Sequence, residues 1–348
     1  MEGLSVSVGF GIVGSGLMAG IYANCLAEDT TDTRLVAIAV GSRAPGLANK
    51  FGVEAEPSFK ALLARADVDA VVIATPHSAH LPETLMAARA GKHVFLEKPM
   101  ALDKAECRQM IEACLAAGVR LSVGKITRRL GAPMEAKRLI DGGEIGDVRM
   151  IQVWRALDGG LPFPEGAWAL DAKEGGPFLD WGSHGCDIVR WYAGAEPVLA
   201  FAQYARYDPA ERLLPTAFVQ FSFANGVLAH IWMTYELPHA VMGGRARYIV
   251  VGSRAILEIN AYGQVSRSRP DGWDVVYQSP DWVSPDEAWG YPNRYIRDGF
   301  ARQVQDFANA IAEGREPEVT GEDGLKAVEM VEAATRSAEI GATVPMPL

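Results

Sequence analysis

Gly14-Ser15-Gly16-Leu17-Met18-Ala19 follows an apolar run and opens a helix-like stretch, a GxGxxA pattern in the setting where it binds a dinucleotide. Gly14 permits the tight turn, Gly16 lets backbone approach a pyrophosphate, and Ala19 allows close packing of helix on strand. The helix start adds free N–H groups and a positive dipole for the phosphates. A purely structural strand–helix turn would look similar, but the repeated strand–helix units that follow favour the dinucleotide. An acidic residue about 20 residues beyond the glycines would hold a ribose 2′-hydroxyl. Val40-Gly41-Ser42-Arg43 stands there instead, and Asp29 and Asp32 precede the strand. Ser42 can donate a hydrogen bond and Arg43 can pair with a 2′-phosphate, so the expectation is NADP rather than NAD.

Lys98 follows the strand His93-Val94-Phe95-Leu96, at the carboxyl edge where doubly wound sheets bind ligands. There an ammonium can polarise a carbonyl or hold a hydroxyl; standing alone it would read as a surface lysine. Asp180 and His184 are four apart, which puts them on one face of a helix. A carboxylate beside an imidazole orients it and raises its basicity, which suits general acid–base work. The plainer alternative is a capping Asp and a satisfied histidine. His77 and His80 are three apart and could be metal ligands with Asp180 and His184. They stand where the cofactor is expected, so proton transfer is preferred and no metal is assigned.

These residues need a scaffold, and the first third of the chain supplies one. Val6 to Val13, Leu35 to Val40, Ala70 to Ala74, His93 to Leu96 and Val119 to Val123 are apolar runs of strand length. Helical stretches lie between them: Leu17 to Ala27, Phe59 to Ala66, Pro82 to Ala90 with proline in its first turn, and Asp103 to Ala117, capped by Asp103 and ended by Gly118. Uninterrupted apolar strands separated by helices indicate a parallel sheet covered on both faces, a doubly wound fold. Beyond Gly124 the pattern changes. Val148 to Trp154, Thr216 to Phe223, Val227 to Tyr235, Tyr248 to Val251 and Ala255 to Ile259 read as strands, with Asn225-Gly226 as a hairpin turn. Gly299 to Glu313 and Gly321 to Ile340 read as closing helices. Arg267 to Tyr295, rich in Pro, Asp and Trp, reads as a long loop.

The chain has 348 residues, 49% of them apolar, and a net charge of −10. That length suggests two domains. An acidic surface argues against nucleic acid. No apolar run approaches the roughly 18 residues of a membrane span, and the N-terminus has no basic leader. Cys25, Cys107, Cys114 and Cys186 make no CxxC pair, which suits a reducing cytoplasm.

Three further segments, Ala74-Thr75-Pro76-His77-Ser78-Ala79-His80, Gly91 to Pro99 with Glu97-Lys98-Pro99, and Gly175 to Asp187 with Asp180 and His184, join the glycine turn. Together they resemble the Gfo/Idh/MocA family over nearly the whole chain. The resemblance implies an N-terminal Rossmann domain with a doubly wound parallel sheet, here residues 1–124. It also implies a C-terminal α+β domain with an open-faced, mostly antiparallel sheet, residues 125–348, with the active site between them. It implies bound NAD(H) or NADP(H), Lys98 as the active-site lysine, and Asp180 and His184 as the family's Asp-x-x-x-His pair. Gly14, Ser15, Gly16, Leu17, Met18, Ser42, Arg43, Thr75, Pro76, His77, His80 and Glu97, with Lys98, form the expected cofactor set. Where the family carries an aromatic or Asn before Arg and Phe, this chain has Gly124-Lys125-Ile126-Thr127-Arg128-Arg129-Leu130. Lys125, Arg128 and Arg129 are therefore candidates for substrate or nicotinamide contact. Trp154 and Trp168 bound a stretch that reads as a binding loop whose aromatics could stack on a sugar ring.

The expected activity is an NADP-preferring dehydrogenase or reductase acting on a sugar, cyclitol or dihydrodiol. Two rivals use the same residues: a lyase or glycosidase that recycles a retained nicotinamide, and a nucleotide-sensing regulator. The second has no need of a proton-transfer set. An open sheet face made apolar by Phe218, Phe221 and Trp232 predicts a homodimer or homotetramer.

Overall fold

The computed structural model describes residues 7–158, 174, 178–207, 216–237, 246–281 and 293–348. The elements run β1 (Val8–Val13), α1 (Leu17–Asn24, prolonged by a π-turn over Cys25–Asp29), β2 (Thr33–Ala39), α2 (Ala44–Phe51), β3 (Glu54–Glu56), α3 (Phe59–Leu63), β4 (Ala70–Ile73), α4 (His77–Arg89), β5 (His93–Leu96), α5 (Lys104–Ala117) and β6 (Leu121–Val123). Next come α6 (Ile126–Arg129), α7 (Gly131–Asp141), β7 (Val148–Asp158), α8 (Leu179–Ala193), β8 (Pro197–Ala205), β9 (Thr216–Phe223), β10 (Leu228–Leu237) and β11 (Ala246–Gly252). The chain closes with β12 (Ile256–Asn260), β13 (Gln264–Arg269), β14 (Gly272–Gln278), α9 (Arg294–Glu313), α10 (Gly321–Ile340) and β15 (Val344–Pro345). The described residues divide into two compact units. One takes those of Met1–Ile126 and Arg297–Leu325, the other those of Thr127–Ile296 and Lys326–Leu348.

The first unit holds a six-stranded sheet in the order β3-β2-β1-β4-β5-β6, parallel throughout. Every residue of β1 and β4 is buried, which is why these strands are apolar without alternation. Phe10, Ile12, Ile38, Val72 and Phe95 form the middle of its core. Helix α5 begins as its sequence predicts, with the Asp103 carboxylate accepting from the Glu106 N–H at 2.8 Å. Helix α4 does not: it starts at His77, and Pro82 lies in its second turn rather than its first. Proline there forgoes one intrahelical hydrogen bond but does not end the helix. The earlier start puts His77 and His80 on the helix's opening turn.

The second unit holds a nine-stranded sheet ordered β14-β13-β12-β11-β7-β10-β9-β8-β15. Among the described strands β7 and β10 pair in parallel and all other neighbours are antiparallel. The β9–β10 hairpin turns through Ala224-Asn225-Gly226, with Gly226 at φ +84° as a left-handed turn position requires. Alternation then sorts the faces. Val219, Phe221, Ile231 and Met233 are buried, while Phe218 is 46% exposed. Phe221 therefore does not share the open face with Phe218 and Trp232, as expected from sequence; an odd separation along a strand sends the two phenylalanines to opposite sides. Helix α8 covers the buried face, and Gly185 passes so close to Ile231 that an added Cβ would lie 3.1 Å from its side chain. The expected loop from Arg267 is also corrected. Arg269 pairs with Gly272 across a tight turn at Pro270-Asp271, so β13 and β14 form a hairpin. Within the rest of that stretch, residues 282–292 lie outside the described residues, and Arg294 and Tyr295 already belong to α9.

Candidate active site

At the end of β1, Gly14 has φ +109°, and a Cβ there would collide with the Ala74 carbonyl oxygen. Only glycine lets β1 turn this tightly beside β4. Gly16 precedes α1, whose start has no side-chain cap and no acidic residue in its first turn. The leading N–H groups of Leu17 and Met18 are thus left for an anion. A Cβ on Gly16 would meet nothing nearer than the Arg43 guanidinium, at 3.8 Å, so the turn is open with a cation at its rim. Ser15 packs its hydroxyl over Gly41. Ser42 and Arg43 are exposed, and Val40 has φ +70°, a strained conformation for a β-branched residue. An uncapped helix start, a glycine cradle and an adjacent guanidinium fit the phosphates of a pyridine dinucleotide.

The next turn, between β4 and α4, carries the second set. Thr75 donates its hydroxyl to Glu83 at 2.5 Å, and burial pushes the Glu83 carboxyl above its ordinary value. Pro76 is exposed and His77 buried. His80 is fully enclosed, with Nδ1 3.0 Å from the Pro99 carbonyl oxygen and Nε2 3.1 Å from that of Thr75. Burial, then the nearby His77, push its pKa down to about 4. The ring is neutral at pH 7 and ties the Thr75 turn to the segment after Lys98. A neutral ring carries one N–H, so one of its nitrogens donates to a carbonyl at a time, and both face backbone oxygens.

Glu97 is buried, and its role is to hold backbone. Oε2 accepts the Lys98 N–H at 2.9 Å, while Oε1 accepts the Tyr22 hydroxyl, which in turn accepts from Gln303 Nε2 at 2.9 Å. Burial and the Glu97 charge push the Tyr22 phenol well above its usual range, so it stays a donor. Lys98, half-buried, is therefore set on a fixed main chain. Lys125, fully buried, follows β6 in the same unit.

In the second unit, Asp180 is the second residue of α8, where the helix dipole favours a carboxylate. His184 follows one turn later, buried on the same face. Trp181 lies under the Arg155 guanidinium, 4.8 Å from its ring centroid, and meets Tyr235 edge-on at 5.5 Å. Arg128, expected as a candidate for substrate or nicotinamide contact, is paired with a carboxylate of α8. Its guanidinium grips Asp187 with two bonds of 2.7 Å and stacks over Trp191. Arg129 is buried at the end of α6. Trp154 points to the open face, edge-on to Trp232 at 5.2 Å, away from the face that α8 covers. Trp168 and the expected binding loop lie outside the described residues, apart from its first strand residues. Sequence reasoning missed Arg155 and Asp187. Arg155 occupies an inward position of β7 after Ile151 and Val153, and Asp187 extends the polar stripe of Asp180 and His184 by one turn. A charge at such a position is the signal that either could have given.

A family model described as "Oxidoreductase family, NAD-binding Rossmann fold" matches residues 8–125, and one described as "Oxidoreductase family, C-terminal alpha/beta domain" matches residues 137–346. Inositol 2-dehydrogenase of Rhizobium meliloti is 29% identical over 345 residues, which cover 95% of this chain and 97% of that protein. The scyllo-inositol 2-dehydrogenase (NAD(+)) of Bacillus subtilis is 26% identical over 352 residues, covering 96% and 95%. The crystal structure of an aldose-aldose oxidoreductase from Caulobacter crescentus, complexed with glycerol, is similar with a TM-score of 0.83 and 28% identity, over 98% of this chain and 100% of that one. Among the described residues no helix is long and apolar enough to cross a membrane.

Proposed function

We propose that this chain, which belongs to the Gfo/Idh/MocA family of oxidoreductases and acts on CH–OH groups, transfers hydride between NADP and a hydroxyl or keto group of a sugar, cyclitol or dihydrodiol. The observation that carries the reading is the fixing of Lys98: a buried carboxylate grips its backbone N–H and is itself held by Tyr22. An ordinary surface lysine has no such support. The bound nicotinamide supplies the hydride acceptor in oxidation and the donor in reduction. Gly14, Ser15, Gly16 and the first N–H groups of α1 hold the phosphates. Ser42 and Arg43 take the 2′-phosphate, a preference supported by the absence of a carboxylate after β2 and by the Arg43 guanidinium beside Gly16. Lys98 hydrogen-bonds the reacting oxygen and steadies its developing charge. His184 takes the hydroxyl proton in oxidation, and Asp180 orients it. The reading includes a cytoplasmic location, which the absence of any disulfide among the four cysteines supports, and a homo-oligomer formed through the open sheet face.

Lys98→Ala tests it. Turnover on a polyol panel should disappear while NADPH binding, followed by nicotinamide fluorescence, persists. Full activity in that variant would overturn the role of Lys98.

A further inference from the structure

Among the described residues, Arg155 is a buried cation without a counter-ion. It is 5% exposed, on the helix-covered face of the second unit's sheet. One face of the guanidinium rests on Trp181, and Nη1 donates to the Tyr248 hydroxyl at 3.3 Å. Nε is buried with no hydrogen-bond partner, and among the described residues no carboxylate forms an ion pair with the group. Neither neighbouring phenol can supply the missing charge. Burial raises the Tyr235 pKa well above its usual range and pushes Tyr248 up to about 12, so both are neutral at pH 7. Arginine cannot escape the difficulty by losing its proton. A buried, unpaired guanidinium is costly, and a protein that keeps one has an anion to bring to it.

The unused edge of the group identifies that anion. With one Nη1 N–H given to Tyr248 and Nε left without a partner, the open edge is the side-on pair of Nε and Nη2. Their spacing matches the two oxygens of a planar carboxylate. The position matches the site as well. Trp181, on which the guanidinium rests, follows Asp180 in α8. Tyr235 feels both charges, Asp180 raising its pKa and Arg155 lowering it. The cation therefore lies beside the N-terminal turn that carries the proposed proton-transfer pair.

We propose that Arg155 receives a carboxylate carried by the substrate, so that the preferred substrates are acidic: hexuronates or carboxylated cyclitols rather than neutral polyols. This rests on the reading of α8 as the proton-transfer helix. Trp181 and Tyr248 hold the guanidinium flat and leave its side-on edge to the ligand.

The test uses the full-length protein with NADP and NAD, and matched pairs: glucuronate with glucose, galacturonate with galactose, quinate with myo-inositol. The acidic member of at least one pair should have a kcat/KM about 100-fold higher than its neutral partner, the order expected of a desolvated bidentate pair. Arg155→Met should remove that preference while changing neutral turnover less than about threefold, and Arg155→Lys should keep part of it. Thermal shift with the same compounds provides a readout independent of turnover. Acid-selective stabilisation in the unmodified protein, weakened in Arg155→Lys and lost in Arg155→Met, sustains the carboxylate site even if no compound is oxidised, and in that case the dehydrogenase reading alone falls. Should Arg155→Met not fold, the unmodified protein and Arg155→Lys decide. Equal treatment of acid and neutral partners in both assays, or an equal loss on both in a folded variant, would overturn the proposal and leave Arg155 as a structural cation.

Discussion

Arg128 and Asp187 meet through two parallel hydrogen bonds of 2.7 Å, Nε to Oδ2 and Nη2 to Oδ1, and both side chains are buried. The pair ties α6 to the middle of α8, one turn beyond His184. Removing one partner of such a pair strands the other's charge, and the loss is about 3–5 kcal/mol. Asp187→Asn should lower the denaturant midpoint accordingly, and the double variant Arg128→Met with Asp187→Leu should recover most of it. Urea titration of the parent and both variants decides. If Arg128 instead held substrate, Arg128→Lys would raise KM and leave the midpoint in place.

His80 gives stability a specific pH window. Its folded pKa of about 4 lies below the ordinary 6.5, so between those values the unfolded chain binds a proton that the folded chain refuses. The contribution is present in full above pH 6.5 and is lost as the pH falls toward 4. It is worth on the order of 3 kcal/mol across the window. His80→Gln removes the titrating ring but keeps a donor and an acceptor. Stability measured from pH 7 to pH 4 should fall less steeply in that variant than in the parent. Parallel curves would mean that another group controls the acid limb.

The parts of the site that could be read from sequence are those written in local spacing. Gly14 and Gly16 sit at the junction of a strand and a helix, and Asp180 and His184 are one helical turn apart, so a chain read a few residues at a time already contains them. Partners far apart in sequence are hidden. Tyr22 reaches Glu97 and Gln303, and Arg128 reaches Asp187, only because the sheets bring them together. Local signals also misled where tertiary packing outweighed them. Pro82 suggested a helix start, yet α4 begins at His77. The Pro and Asp that suggested a long loop make the two-residue turn between β13 and β14.

The proposed preference for NADP over NAD turns on Arg43. It is exposed at the rim of the glycine turn, and β2 is followed by no carboxylate that would favour a ribose hydroxyl. Arg43→Ala should lower kcat/KM for NADP about tenfold or more while moving the value for NAD by less than about threefold. Ser42→Asp, which places a carboxylate where NAD enzymes carry one, should reverse the preference. Steady-state kinetics with both nucleotides checks this. An equal fall with both would mean that Arg43 supports the turn and does not read the 2′-phosphate.

The open face of the second sheet carries an aromatic row. By register Trp154 stands beside Trp232 and Trp232 beside Phe218, with Trp232 edge-on to Trp154 at 5.2 Å and stacked on Phe218 at 6.1 Å. Two rungs away on the same face, Met150 and Leu228 are paired and more than half exposed. At about 25 cal/mol per Å² of apolar surface removed from water, covering such a patch is a substantial driving force, and a second copy of the chain presents the same patch in return. The native protein should sediment as a dimer or tetramer at micromolar concentration. Phe218→Arg places a charge in the row without touching the buried face, so it should yield a lighter species with an unchanged far-UV spectrum. A native protein that sediments as a monomer would contradict the assignment of this face.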